Sequence, residues 1–175
     1  MPNAVRTQTF SESVIRAMTR LANAHGAVNL SQGFPDFPMP DAMKEAAVAS
    51  IRGDVNQYAI TWGAKKLRDA IAGRYLRRYG MTVDPERDIT IACGATEATA
   101  SVFLALFNPG DEVLIFEPFY ENYGPDAILC DARPVYVPLT PPTWAYDEAV
   151  LRRAVGPKTR ALVLNSPHNP TGRVF

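Results

Sequence analysis

Short apolar segments alternate with helical stretches through the second half of the chain, and this alternation constrains the fold more than any other feature. Strands that are joined through helices, rather than through tight hairpins, form mostly parallel sheets with the helices packed on their faces. The pattern therefore predicts an α/β fold from Asp88 onward. Four strands are expected, at Ile89–Ala92, Val113–Phe116, Pro134–Val137 and Ala161–Leu164.

Helices are expected between these strands because the intervening segments have apolar residues at helical spacing. Their predicted positions are Thr96–Phe107, Tyr120–Cys130 and Asp147–Ala154. The first half of the chain is predicted to be helical, with helices at Ser11–Ala24, Asp41–Arg52 and Ala64–Tyr79. Between the first two lies NLSQGFPDFPMP, whose prolines and glycine exclude a regular element while its large apolar residues favour an ordered, extended loop.

Charge and cysteine content narrow the classes of protein to consider. Lys plus Arg and Asp plus Glu both number 18, so no basic excess indicates a nucleic acid or membrane partner. The N-terminus lacks an apolar signal region, and no segment reaches the roughly 18 apolar residues of a membrane span. A cytoplasmic protein is expected. Cys93 and Cys130 lie far apart with no ligand spacing, so neither a disulfide framework nor a metal site is expected, and both are interpreted as buried thiols.

In an open α/β sheet, ligands bind beyond the carboxyl ends of the strands, so the residues that follow each strand are the candidate site. After the first predicted strand, Gly94-Ala95-Thr96-Glu97-Ala98 opens a helix, where unpaired backbone N–H groups could hold a phosphate. The alternative is a plain tight turn with Thr96 as the helix N-cap. The residues alone leave both interpretations open.

Aromatic residues follow the second predicted strand, in the segment Glu117-Pro118-Phe119-Tyr120-Glu121-Asn122-Tyr123. A planar ligand would explain rings at a strand's carboxyl end, where polar residues would otherwise be favoured. For Phe119 and Tyr123, a hydrophobic cluster at the helix start explains the rings at least as well. For Tyr120, the ligand interpretation is favoured.

The string Asn165-Ser166-Pro167-His168-Asn169-Pro170-Thr171-Gly172 follows the fourth predicted strand and is the most specific of the three motifs. Its two X-Pro bonds favour a sharp loop that presents polar side chains to the site. His168 alternates with Asn169 and is expected to point away from it. It is therefore interpreted as a residue that supports the loop or lies at the surface, rather than as a catalytic base.

Five strings in this order carry a resemblance to a known family: NLSQGFPDFPMP, DVNQY, GATEA, PGDEVLIFEPFYENY and LNSPHNPTG. They resemble the class I/II aminotransferases, which are fold-type I pyridoxal-phosphate enzymes. The most similar branch holds kynurenine and methionine aminotransferase-like enzymes and succinyldiaminopimelate aminotransferase. The resemblance runs from about residue 10 to Phe175. It implies an incomplete fold: an N-terminal arm with part of the small domain (residues 1–53), then the first part of the large α-β-α domain (residues 54–175), with a mostly parallel sheet.

The resemblance implies four contacts with pyridoxal 5'-phosphate. Ala95 and Thr96 would bind the phosphate, and Tyr120 would stack on the pyridine ring. Asn169 would hydrogen-bond the phenolic oxygen of the ring. Because the family uses X-Pro turns at these loops, Asn169–Pro170 and Glu117–Pro118 are both predicted to be cis.

It also implies contacts with the substrate and with a second subunit. Gly33, through its backbone N–H, and Asn169 would hold the substrate carboxylate. Tyr58 would reach the cofactor phosphate of the neighbouring subunit, which implies a homodimer with shared active sites.

The implied activity is transfer of an amino group between an L-amino acid and a 2-oxo acid, a step of amino-acid metabolism and biosynthesis. In the family, the Schiff-base lysine, the acidic residue at the pyridine nitrogen and the carboxylate-binding arginine lie later than Phe175. The lysines present are Lys44, Lys65, Lys66 and Lys158, and none is placed to act as the Schiff-base residue. We therefore assign no catalytic residue to this chain and expect it to be inactive alone. Two alternatives stay open: a β-lyase of sulfur amino acids and a truncated, non-catalytic protein.

Overall fold

A computed structural model describes residues 4–9 and 12–175 of the protein, which form two compact units. One unit consists of residues 14–93. The other consists of residues 94–175 together with the described residues up to Ser13. Within the described ranges, every helix is too short or too polar to span a membrane.

The unit of residues 14–93 contains three helices: α1 (Val14–His25), α2 (Asp41–Arg52) and α3 (Lys65–Tyr79). α3 is capped by Gly80, which adopts a left-handed φ of 66° and donates its backbone N–H to the Leu76 carbonyl. Both ends of α2 agree with the prediction. α1 begins later than predicted, and the expected first residue, Ser11, lies outside the described residues.

The unit of residues 94–175 contains the sheet. Its helices are α4 (Gly94–Leu106), α5 (Tyr123–Leu129) and α6 (Glu148–Ala154), after a 3-10 turn at Val5–Gln8. Its strands are β1 (Glu112–Glu117), β2 (Arg133–Thr140), β3 (Ala145–Tyr146) and β4 (Thr159–Val163), in the order β3-β2-β1-β4. The central strand β1 is parallel to β2 and β4, while β3 is antiparallel to β2. The predicted mostly parallel sheet is therefore confirmed.

Strand β1 lies between two hydrophobic layers because its residues alternate between the faces of the sheet. Val113 and Ile115 pack with Phe103 and Phe107 from the α4 segment. On the other face, Phe116 joins a cluster with Val137 and Leu139, against which α6 packs. Helices thus cover both faces of the central strand, as expected for an α-β-α layer structure.

Two predictions about the elements were wrong, and one strand was not predicted. Residues 89–92 form no strand, since no described segment pairs with them. α5 begins at Tyr123 instead of Tyr120, because Pro125 has no N–H to donate and fits only the first turn of a helix. Strand β3 was not predicted. It pairs with the end of β2, which is longer than predicted. The turn between the two strands contains Trp144, which adopts a φ of 54°.

Candidate active site

The carboxyl ends of β1 and β4 lie at the same edge of the sheet, because the two strands are parallel and adjacent, with Ile115 paired to Val163. The aromatic segment follows β1 at this edge, and the loop of residues 164–172 follows β4. The start of α4 is tied to the aromatic segment, since the Asn122 side-chain amide donates a hydrogen bond of 2.9 Å to Thr96 Oγ1. The three motifs that were singled out in the sequence are thus connected at one edge.

The start of α4 supplies hydrogen-bond donors to this edge. Gly94 adopts a φ of 82°, and Ala95 and Thr96 are exposed. Thr96 is the third residue of the helix, so the interpretation of Thr96 as the N-cap was wrong. The first N–H groups of a helix have no acceptor within it. Since the Thr96 hydroxyl oxygen accepts from Asn122, its own proton can be donated outward.

The aromatic residues divide into two groups. Phe119 stacks on Tyr136 of β2, with centroids 5.0 Å apart and an interplanar angle of 8°, and Tyr123 packs against the core. Packing therefore explains both rings. Tyr120 is half-buried and makes an edge contact with Tyr123 at 5.8 Å, but it does not belong to the core cluster. Burial, and secondarily the neighbouring Tyr120, raises the pKa of Tyr123.

The loop after β4 presents Asn169, which is exposed and whose backbone N–H donates to Asn165 Oδ1 at 2.8 Å. Asn169–Pro170 and Glu117–Pro118 are both cis, as predicted. His168 is buried, with 4% of its surface exposed. The expectation that His168 supports the loop agrees with this burial, and the alternative of a surface position was wrong.

Two ionisable groups in α5 and directly after it, Asp126 and Cys130, are at least partly buried. Asp126 in α5 is 7% exposed, its Oδ2 has no hydrogen-bond partner within the described residues, and burial raises the pKa of its carboxyl. Burial also raises the pKa of the Cys130 thiol, with smaller contributions from Asp126 and Asp131. Cys130 is half-buried, whereas Cys93 is exposed, so the prediction that both thiols are buried was wrong for Cys93.

Gly33 and Tyr58 belong to the unit of residues 14–93. A methyl group added at Gly33 would meet no atom within 4 Å, so packing inside this chain does not require glycine there. Tyr58 is fully exposed, so its ring packs against none of the residues that the structure describes. The functional roles assigned to both residues stay predictions.

Sequence reasoning missed two residues that shape this edge. Asn122 lies within the quoted motif, but nothing in its spacing indicated that it would hold Thr96. Tyr136 comes from β2, and its ring stacks on Phe119 through a pairing of distant segments. Only the strand register brings these two rings together.

The fold and this edge of the sheet define a class: the chain belongs to the aminotransferases of class I and II, whose family model matches residues 25–175. It is 48% identical, over 97% of its length, to a probable N-succinyldiaminopimelate aminotransferase of Mycobacterium tuberculosis, of which it covers 43%. It is 39% identical, over 93% of its length, to the methionine aminotransferase of Escherichia coli, of which it covers 42%. The chain thus spans less than half the length of these relatives.

Solved structures agree with this assignment. The N-succinyldiaminopimelate aminotransferase of Mycobacterium tuberculosis superimposes with a TM-score of 0.92 and 46% identity, covering 99% of this chain and 46% of that one. The Escherichia coli protein YbdL, described as having a methionine aminotransferase function, gives a TM-score of 0.93 at 36% identity and covers all of this chain and 46% of its own. The fold is therefore the first part of a fold-type I transferase, a family that uses pyridoxal 5'-phosphate. None of these relatives supports the lyase or the non-catalytic alternative.

Proposed function

We propose that the protein containing this chain is a pyridoxal-phosphate-dependent aminotransferase, which moves an amino group between an L-amino acid and a 2-oxo acid. The observation that carries the proposal is the connection of three motifs at one sheet edge, with Thr96 at the start of α4 held by Asn122. Tyr120 and Asn169 follow the two neighbouring strands at the same edge. A helix start, an aromatic ring and a carboxamide together suit a phosphorylated, planar cofactor.

The residues at this edge fit pyridoxal 5'-phosphate. Ala95 and Thr96 would bind the phosphate through backbone N–H groups and the outward-donated hydroxyl proton. Tyr120, which is left outside the core, would cover one face of the pyridine ring. Asn169, which is exposed, would donate from its carboxamide to the phenolic oxygen of the ring and bind the substrate carboxylate. When bound, the cofactor supplies an electron sink for negative charge on the substrate α-carbon.

Gly33 and Tyr58 complete the proposed set of contacts. The open space around Gly33 is available to a substrate carboxylate that approaches the backbone N–H. The full exposure of Tyr58 favours a contact outside its own chain, which we assign to the phosphate in the partner subunit of a homodimer. We also propose that the boundary near residue 53 separates the two domains of the complete protein, and that the protein is cytoplasmic.

The reactive lysine that the family requires is not supplied by residues 94–175. Their one lysine, Lys158, precedes β4 and so lies at the amino edge of the sheet, opposite the site. We therefore expect a polypeptide of residues 1–175 to show no transamination, and we propose no catalytic residue within it.

The test uses the complete protein encoded by the gene, supplied with pyridoxal 5'-phosphate. Methionine, kynurenine and N-succinyldiaminopimelate are offered as amino donors with 2-oxoglutarate as acceptor. We expect equal amounts of glutamate and the donor's 2-oxo acid, and slower turnover in Asn169→Ala. Release of ammonia, pyruvate and a thiol from an S-substituted cysteine, without formation of glutamate, would support the lyase. Absence of all products, together with absence of cofactor binding, would refute the proposal.

A further inference from the structure

The loop after β4 contains a buried ionisable side chain that the proposed chemistry does not use. His168 is 4% exposed, while its neighbours Pro167 and Asn169 are exposed. Its Nδ1 lies 2.8 Å from the Thr171 hydroxyl oxygen, which also accepts a bond of 3.3 Å from the Arg173 amide. Burial lowers the pKa of the imidazole, which favours the neutral ring. A neutral ring beside a hydroxyl can form a stable, uncharged hydrogen bond in either tautomer.

The backbone of His168 closes the loop on both sides. Its N–H donates to the Arg173 carbonyl at 2.7 Å, and its carbonyl accepts from the Gly172 N–H at 2.7 Å. The next residue, Asn169, is fixed through its own N–H to Asn165 Oδ1. The segment from Asn165 to Arg173 is thus a closed turn with His168 at its centre.

The imidazole also connects this turn to the central strand. Its ring contacts Phe175 edge-to-face at 5.7 Å and 83°. Phe175 stacks on Phe116 of β1 at 5.3 Å and 19°, and Phe116 is 3% exposed in the core. Displacing His168 would therefore disturb both a hydrogen bond and an aromatic contact to the core.

We propose that His168 is a positioning residue which, with Thr171, holds Asn169 at the sheet edge for its contacts with cofactor and substrate. The inference rests on the proposed function for the role of Asn169, whereas the tethering of the loop rests on the contacts above. Loss of one uncharged hydrogen bond in this tether is expected to weaken pyridoxal-phosphate binding by about three- to tenfold. The conservative replacement is asparagine, because its carboxamide places a polar atom near the position of Nδ1.

The experiment compares four variants of the complete protein. His168→Leu and Thr171→Val each remove one partner of the bond, and His168→Asn retains a partner for Thr171. Phe107→Leu is the matched control, since Phe107 packs in the other core cluster, beyond the far end of α4. Three quantities are measured: the dissociation constant of pyridoxal 5'-phosphate, kcat and KM for an amino donor, and amide hydrogen exchange of residues 165–173.

We expect His168→Leu and Thr171→Val to weaken cofactor binding, lower kcat/KM and speed exchange in residues 165–173. His168→Asn should stay within about threefold of the unsubstituted protein. Phe107→Leu should lower the melting temperature without changing binding. The positioning role would be overturned if His168→Leu speeds amide exchange but leaves cofactor binding and kcat/KM unchanged. It would also be overturned if His168→Leu and Phe107→Leu weaken cofactor binding equally. If the unsubstituted protein neither binds the cofactor nor transaminates, the proposed function fails. Separately, unchanged amide exchange of residues 165–173 in His168→Leu would show that His168 does not tether the loop.

Discussion

Replacement of Gly63 by alanine is expected to destabilise the protein strongly, for two separate reasons. Gly63 adopts a φ of 102°, where a side chain costs about 1–2 kcal/mol. An added Cβ would also lie 2.6 Å from Ile91 Cβ, well inside van der Waals contact. Such overpacking typically costs about 1–3 kcal/mol. Together, the two effects predict a loss of about 2–5 kcal/mol.

The loop cannot easily move aside, because hydrogen bonds hold it on three sides. The Gly63 N–H donates to the Ile60 carbonyl at 2.8 Å, and its carbonyl accepts from Arg68 Nε at 3.0 Å. The preceding carbonyl, of Trp62, accepts from the Ile91 N–H at 3.0 Å. Arg68 is itself 1% exposed, so its hydrogen bond to the Gly63 carbonyl is shielded from solvent.

Gly80→Ala provides the control, since Gly80 has a φ of 66° but no atom within 4 Å of an added Cβ. It should cost only the conformational part, about 1–2 kcal/mol. Urea unfolding of the complete protein, followed by tryptophan fluorescence, gives the midpoint and slope for each variant. Equal midpoints for Gly63→Ala and Gly80→Ala at equal slopes would refute the steric argument.

Further predictions concern the site and one buried carboxyl. Thr96→Val should raise the dissociation constant of pyridoxal 5'-phosphate about tenfold or more, because a hydrogen bond to a charged group is worth about 1.5–3 kcal/mol. Titration of the apoprotein with the cofactor measures this constant, and an unchanged value would exclude a contact between Thr96 and the phosphate. Tyr58→Phe should weaken cofactor retention by about 1–3 kcal/mol and leave a dimer intact in analytical ultracentrifugation, whereas unchanged retention would exclude a contact between the Tyr58 hydroxyl and the cofactor phosphate. For Asp126, the folded-state pKa lies above the unfolded value, so the ionised carboxylate opposes folding at neutral pH and this cost disappears as the pH falls below the unfolded pKa. Asp126→Asn should therefore stabilise the protein at neutral pH and lose its advantage in acid; a melting-temperature difference that does not change with pH would contradict this.

Much of the fold could be predicted from local signals. Helix α2 was predicted from Asp41 to Arg52 and has these bounds, but the expectation that Asp41 caps it was wrong, since Pro40 is the N-cap and Asp41 lies in the first turn. The central strand β1 was predicted because an unbroken apolar run between turn residues indicates a strand buried on both faces. The three loops of the candidate site followed from the same rule, since ligands bind where parallel strands end.

Local signals in the chain place most helices and the buried strands to within a few residues and identify the loops that carry the family's motifs. Contacts between distant segments account for the remaining features. Residues 89–92 form no strand because no described segment pairs with them. Phe119 stacks on Tyr136 of β2, whereas Tyr120 stays outside the core cluster. The contact with Phe175 likewise accounts for the burial of His168. The difference lies in how far along the chain each interaction acts. Periodicity and turn chemistry act over a few residues, whereas strand pairing, ring stacking and burial depend on residues that are distant in the chain and become neighbours only in the folded protein.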